Sequence, residues 1–278
     1  RESVPKYVKE ESMEGVLIGE STILLPSDRD GYMKGYLYTL NGQLLKKIGD
    51  NSFDITNLYG IDEQTGDVYY QAAALNAHDR QIFVSHKNGK VERLTSMEGW
   101  NDALFSADFK YFINTWSDYN NPFIYTLCDN RGKSLSTLLD NKALKEKTSL
   151  YGWTPKETFS FTTSTGTKLD GWMIKPSNFS ASKKYPVIMY QYSGPGSQQV
   201  VNSWNAGSMG QGGAFDYYLA QQGFIVVCVD GSGTGGRGSE FEKSVYLRLG
   251  DLESKDQVEA ALWLGNQSFV DKDRIGIW

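Results

Sequence analysis

Tyr185-Pro186-Val187-Ile188-Met189-Tyr190-Gln191-Tyr192-Ser193-Gly194-Pro195-Gly196-Ser197-Gln198 begins as an apolar run and ends as a loop. The uncharged opening reads as a strand covered on both faces, the habit of parallel sheets. Gly194, Pro195 and Gly196 then turn the chain sharply, and Tyr192 places a hydroxyl donor at the base of the turn. Ligand chemistry in open α/β sheets gathers at such carboxyl ends. Phe224-Ile225-Val226-Val227-Cys228-Val229-Asp230 is a second run of the same kind. Between the two, 214–222 reads as a helix closed by Gly223. Asp251 to Leu264 reads as another helix, with Asp251, Glu253 and Asp256 at its positive end, an apolar stripe of Val258, Ala261 and Leu262, and Gly265 after it. Asp271-Lys272-Asp273-Arg274 reads as a turn, and Ile275-Gly276-Ile277-Trp278 opens a third strand. This alternation predicts an α/β layer, preceded by a hairpin of Phe159–Thr163 with Leu169–Ile174.

Upstream the rhythm differs. Tyr36-Leu37-Tyr38-Thr39-Leu40-Asn41-Gly42, Ile82-Phe83-Val84-Ser85-His86-Lys87-Asn88-Gly89 and Ile124-Tyr125-Thr126-Leu127-Cys128-Asp129-Asn130-Arg131-Gly132 are three copies of a strand entering a turn. Asn-Gly and its relatives are strong hairpin signals. The turn glycines lie 47 and 43 residues apart. Another strand precedes each copy: Thr22–Leu25, Val68–Tyr70 and Tyr111–Asn114. Four-stranded units of roughly 45 residues are the sequence mark of propeller blades; the alternative is an open meander of hairpins. The charged stretch 140–147 reads as a connector. The boundaries expected are therefore 1–147 for the last blades of a β-propeller and 148–278 for the first part of an α/β domain. The abrupt start and the apolar run that stops at Trp278 lead us to expect an internal piece of a longer protein.

Composition narrows the function. Net charge is −5, with no cluster of Lys and Arg, which argues against nucleic acid and anionic membranes as partners. Cys128 and Cys228 are the only cysteines, too few for a disulfide framework or a zinc site. No stretch has the apolar length of a membrane span, and Arg1-Glu2-Ser3-Val4-Pro5 does not open a signal peptide. His78 and His86 both fall in the propeller half, and neither is framed by a serine or carboxylate pattern. Gly231-Ser232-Gly233-Thr234-Gly235-Gly236 matches a dinucleotide fingerprint. The chain continues, however, as Arg237-Gly238-Ser239-Glu240 rather than as a helix, so no cofactor is expected.

The α/β half resembles the prolyl oligopeptidase family of serine peptidases, in its dipeptidyl peptidase IV-type branch. The stretch from Tyr185 to Gln198 is similar to the branch's Tyr-Pro … Tyr-Ala-Gly-Pro-x-Ser-Gln. Asp230-Gly231-Ser232-Gly233-Thr234-Gly235 resembles its Asp-Gly-Arg-Gly-Ser-Gly. Arg248-Leu249-Gly250, Asp256-Gln257-Val258-Glu259-Ala260-Ala261 and Arg274-Ile275-Gly276-Ile277-Trp278 follow in the same order. Ser232, Gly236-Arg237 and a longer glycine-rich stretch from Val201 to Gly213 depart from the pattern.

The resemblance implies an α/β-hydrolase fold and a peptide substrate cut after a second residue of Pro or Ala. It implies no metal and no cofactor. The family's Ile-x-Ile-Trp leads into a Gly-x-Ser-x-Gly nucleophile elbow, which the 278 residues do not contain. Serine, aspartate and histidine of the triad are thus expected beyond Trp278, and the chain alone is expected to be inactive. Tyr192 is the catalytic residue that carries over, as donor to the oxyanion; Tyr190 is read as packing. The acidic pair that captures the substrate amine is expected before residue 1. A homodimer of the full-length protein is admitted as a partner, and a periplasmic or cell-surface location is expected. The rival readings are an acylaminoacyl peptidase or oligopeptidase relative, and a non-catalytic propeller protein.

Overall fold

The computed structural model describes residues 3–9, 15–204, 206–208 and 213–278. The opening Arg1-Glu2 and part of the 201–213 stretch, positions 205 and 209–212, lie outside the described residues. The chain forms two compact units. The first takes in 1–118, 123–140 and 236–240; the second holds 119–122, 141–235 and 241–278.

The first unit carries three four-stranded antiparallel sheets in simple sequence order. They are β1 (Leu17–Ile18), β2 (Thr22–Ser27), β3 (Lys34–Thr39) and β4 (Leu44–Ile48); β5 (Ile55–Asp62), β6 (Asp67–Ala72), β7 (Gln81–Ser85) and β8 (Val91–Arg93); and β9 (Trp100–Phe105), β10 (Tyr111–Asp118), β11 (Asn121–Asp129) and β12 (Ser134–Leu139). Alternation along β6 explains how they stack. Val68 and Tyr70 face Leu24, Leu37 and Ile48 of the first sheet, while Tyr69 joins Phe112 and Cys128 of the third. One strand therefore feeds two cores, which is how consecutive propeller blades pack face to face.

The three turn glycines repeat one geometry. Gly42, Gly89 and Gly132 take φ of +87°, +91° and +81°. Their N–H groups donate to Thr39, His86 and Asp129 at 2.9, 2.9 and 3.0 Å. The neighbouring Asn41, Asn88 and Arg131 are not in the left-handed region, so the turns are three-residue loops ending in a glycine bulge rather than two-residue Asn-Gly turns.

In the second unit, β13 (Lys156–Thr162), β14 (Lys168–Ile174), β15 (Tyr185–Tyr190), β16 (Ile225–Asp230) and β17 (Val270–Ile277) form one sheet ordered β13-β14-β16-β15-β17. The hairpin β13–β14 joins β16 antiparallel, whereas β16, β15 and β17 run parallel. Among the described residues the helices of eight residues or more beside it are α1 (Lys142–Leu150), α2 (Ala214–Gln221) and α3 (Asp251–Gly265). The stretch read as a connector thus continues into a helix, its Ala, Leu, Lys and Glu being good helix formers, with no side chain of α1 buried.

Alternate residues of β16 separate the two faces. Val226 and Cys228 pack with Tyr217 and Ala220 of α2, while Ile225, Val227 and Val229 pack with Ala260 and Leu264 of α3. Gly223, φ +92°, closes α2 as its sequence predicts.

Two expectations are corrected. Asp271–Arg274 is not the turn; the turn is 266–269, and β17 starts at Val270. These four residues bulge out of register, because Tyr185 pairs with Val270 but Val187 already pairs with Ile275. On α3 the buried face is Glu253, Asp256, Gln257, Ala260 and Leu264, not the stripe of Val258 and Leu262, which stay 60% and 64% exposed. Gln257 and Asp256 take the inner face because they bond to Val229 O in β16 and Ser232 N–H in the loop after it, and Glu253 accepts from Gly250 N–H at the helix's own start.

Candidate active site

The two helices lie on opposite faces, so the chain leaves β15 and β16 in opposite directions. A crevice opens at the carboxyl ends where adjacent strands diverge this way, and ligands bind there. The loop after β15, 191–198, and the loop after β16, 231–235, meet at this point. Gly196 N–H donates to Gly233 O at 3.0 Å, and Gly235 N–H to Ser197 O at 3.0 Å. Only glycine allows the approach: a Cβ on Gly235 would stand 2.8 Å from Gly196 O, and one on Gly233 2.8 Å from Val245.

Asp230, buried at the end of β16, fixes the first loop by accepting from Gln199 and Val200 N–H, both at 2.9 Å. Trp172 Nε1–H donates to Gln199 O at 3.2 Å. Asp256 fixes the second loop through Ser232 N–H at 2.6 Å. Charge-assisted bonds of this kind are stronger than neutral ones, so both loops are held by carboxylates rooted in regular structure.

Tyr192 projects from the held loop and is 61% exposed, and its hydroxyl takes no hydrogen-bond partner among the described residues. Tyr190, two residues earlier, is half-buried. Its hydroxyl donates to Gln199 Oε1 at 3.5 Å, its ring lies 5.6 Å from that of Trp278, and burial pushes its pKa up. One tyrosine packs while the other is free to donate.

The fingerprint loop does not suit a pyrophosphate. Its N–H groups are taken: Ser232 by Asp256, Thr234 by Gly231 O at 3.3 Å, and Gly235 by Ser197. A single helical turn, Ser239–Glu242, follows instead of a phosphate-binding helix. Gly233→Ala combines a φ of +93° with the Val245 clash and is expected to destabilise the protein by about 1–3 kcal/mol in urea melts; an unchanged midpoint would show that the loop tolerates the side chain.

The remaining candidates fall elsewhere. His86 lies in the first unit with Nδ1 2.9 Å from Asp67 Oδ2, and His78 is on a loop of the same unit. Both cysteines are buried and unpaired, and burial raises the pKa of each thiol. No cluster of His, Cys, Asp or Glu able to hold a metal occurs among the described residues, and no helix among them is long and apolar enough to cross a membrane. Asp230, Asp256 and Gln257 were missed as site-shaping residues. The signal for the first was a charged residue ending an apolar strand.

Known proteins share this arrangement. Residues 215–278 match the family model of the prolyl oligopeptidase family, and residues 1–123 match that of the dipeptidyl peptidase IV N-terminal region. The chain is 31% identical over 258 residues to a probable dipeptidyl peptidase 4 of Emericella nidulans, covering 91% of this chain and 33% of the relative. Dipeptidyl peptidase 4 of Trichophyton equinum is 31% identical over 260 residues, with the same coverage. The crystal structure of Porphyromonas gingivalis dipeptidyl peptidase 4 superposes with a TM-score of 0.91 at 37% identity, over 99% of this chain and 38% of that one. A putative dipeptidyl aminopeptidase IV of Bacteroides ovatus gives 0.82 at 27% identity, over 99% and 41%. The chain spans about a third of the length of the curated relatives it matches. With propeller blades, the opening of an α/β-hydrolase sheet and both matching regions in one order, the chain belongs to the dipeptidyl peptidase IV-type branch of the prolyl oligopeptidase family.

Proposed function

We propose that the full-length protein is a serine exopeptidase that releases dipeptides with Pro or Ala in second place from free N-termini. The observation that carries this reading is the unbonded Tyr192 hydroxyl, held at the carboxyl end of β15 by the Asp230-anchored loop. Relatives named dipeptidyl peptidase 4 support it. A serine following β17 attacks the peptide carbonyl while a histidine takes its proton, and charge gathers on the carbonyl oxygen. The Tyr192 phenol donates to that oxygen, as does the backbone N–H after the serine. A neutral donor fixed in advance pays no reorganisation when the charge appears.

A fluorophosphonate probe, which labels activated serines, tests the reading. The full-length protein is expected to label stoichiometrically at one serine beyond Trp278. The 278-residue chain is expected to stay unlabelled. Labelling at any serine within residues 1–278, or none in the full-length protein, contradicts the assignment.

A further inference from the structure

Lys156, at the start of β13, is a lysine with 4% of its surface exposed. Its Nζ donates to Ala206 O. It also lies over three aromatic rings, 4.3 Å from the centre of Trp172, 5.7 Å from Tyr119 and 5.8 Å from Tyr217. Two residues beyond Ala206, a buried carboxylate takes over. Asp216, in the first turn of α2, accepts from Ser208 N–H at 2.8 Å and from the Ser208 hydroxyl. Gly207 between them has no room for a side chain, since a Cβ would stand 2.6 Å from Asp216 Oδ2. One cation and one anion thus grip the 206–208 stretch side by side.

Burial makes the cation costly. It pushes the Lys156 pKa down to about 8 against the pull of Asp216. The folded pKa lies below the ordinary lysine value, so the charge opposes folding below about pH 8, and the cost fades as pH rises above it. A buried charge of this kind is weak evidence for stability and stronger evidence for a functional site. The chain path shows what it serves. Gln199 follows the Tyr192 loop directly, and the Trp172 indole N–H holds Gln199 O while Lys156 sits against the same ring. Lys156 therefore holds 199–206 at both ends, directly at Ala206 and through Trp172 at Gln199.

We propose that Lys156 is a positioning residue, whose ammonium, with Asp216 beside it, clamps 199–208 and so sets the Tyr192 loop. The catalytic consequence rests on the serine peptidase reading; the clamp does not. Of the groups facing the ammonium, Tyr217 from α2 and Cys228 from β16 are pushed upward by burial, which keeps them neutral. Tyr119 is a phenol and Asp216 a carboxyl. The charge that changes near pH 8 is then that of Lys156 itself.

Two variants of the full-length protein test it. Lys156→Met keeps the length of the side chain and removes the ammonium. The double variant Lys156→Met with Asp216→Asn removes both buried charges and keeps an acceptor for Ser208. Each is expected to lower kcat and the fluorophosphonate labelling rate at least about tenfold, because small misplacements of catalytic groups have effects of this size. KM should stay within about twofold. Labelling needs no substrate amine, so its pH profile reads the clamp: the wild-type rate should fall above about pH 8, and neither variant should show that limb. The double variant is expected to unfold at a urea midpoint no lower than the wild type at pH 7. Wild-type rates in the variants, an alkaline limb that persists in them, or losses matched by a lower midpoint would overturn the positioning role.

Chymotrypsin reads the clamp without activity. Trp204 lies inside the clamped stretch and is half-buried. Native cleavage after Trp204, followed by mass spectrometry at pH 7, should be at least about tenfold faster in Lys156→Met than in the wild type, since release of a held segment opens it to proteases. Equal cleavage rates would overturn the clamp. Failure of the wild-type protein to label at all would sink the peptidase reading, while cleavage at Trp204 would still decide the clamp.

Discussion

If the proposed function holds, replacing Tyr192 by Phe in the full-length protein is expected to lower kcat by about 10²–10³, the usual loss for one oxyanion donor, or roughly 3–4 kcal/mol. The substitution keeps the ring and removes one hydroxyl that bonds to no described residue in the resting structure, so the fold has nothing to lose. On the proposed mechanism the hydroxyl meets developing negative charge only in the transition state, so the deficit should fall on kcat and leave KM nearly unchanged. Tyr190→Phe is the control. Its hydroxyl makes one long bond to Gln199, 3.5 Å, and its ring contact with Trp278 survives the change, so kcat should stay within about twofold. The reverse outcome, with Tyr190→Phe impaired and Tyr192→Phe intact, would mean that the donor is the other tyrosine. Steady-state kinetics on a chromogenic dipeptide substrate checks both.

Trp172→Ala is expected to cost about 3–5 kcal/mol of stability, the range for large buried aromatics. Trp172 is fully buried in β14 against Ile174, Val226 and Cys228. Lys156 Nζ lies 4.3 Å from its ring centre, and the indole N–H holds the Gln199 carbonyl beyond β15 at 3.2 Å. Lys156 is itself buried, which pushes its pKa down to about 8 against the pull of Asp216, and it bonds to Ala206 O. Removing the indole thus opens a cavity beside a desolvated ammonium and releases the loop. Urea unfolding followed by circular dichroism should show the loss, while Leu150→Ala, at an 86% exposed position, should stay within about 0.5 kcal/mol. A Trp172→Ala loss under about 1 kcal/mol would mean that the core does not depend on this residue.

The architecture was legible where backbone chemistry and periodicity agree. Gly42, Gly89 and Gly132 mark hairpins because each needs a left-handed conformation. The runs 185–190 and 225–230 read as buried parallel strands because they carry no interior charge up to their ends. The inner face of α3 was hidden. Periodicity favours Val258 and Leu262, but Asp256 and Gln257 bond to Ser232 and Val229 on partners distant in sequence, and this outweighs the apolar pattern. The bulge in β17 was missed for a similar reason: Asp271, Lys272, Asp273 and Arg274 look like a turn, yet the strand begins before them. At the candidate site, a motif and a strand end singled out Tyr192, and the structure puts it exposed on the loop after β15. The carboxylate anchors did not, since one sequence does not show which N–H a buried aspartate meets.

The central claim is dipeptide release from a free N-terminus. It is tested most directly by comparing hydrolysis of Gly-Pro-p-nitroanilide with that of its N-acetylated form by the full-length protein. The account predicts release of p-nitroaniline from the free amine and a rate at least about 100-fold lower for the acetylated compound, because acetylation removes the ammonium that the acidic pair expected before residue 1 would capture. Equal rates, or cleavage within long N-blocked peptides, would contradict it and make the protein an endopeptidase or acylaminoacyl peptidase of the same fold.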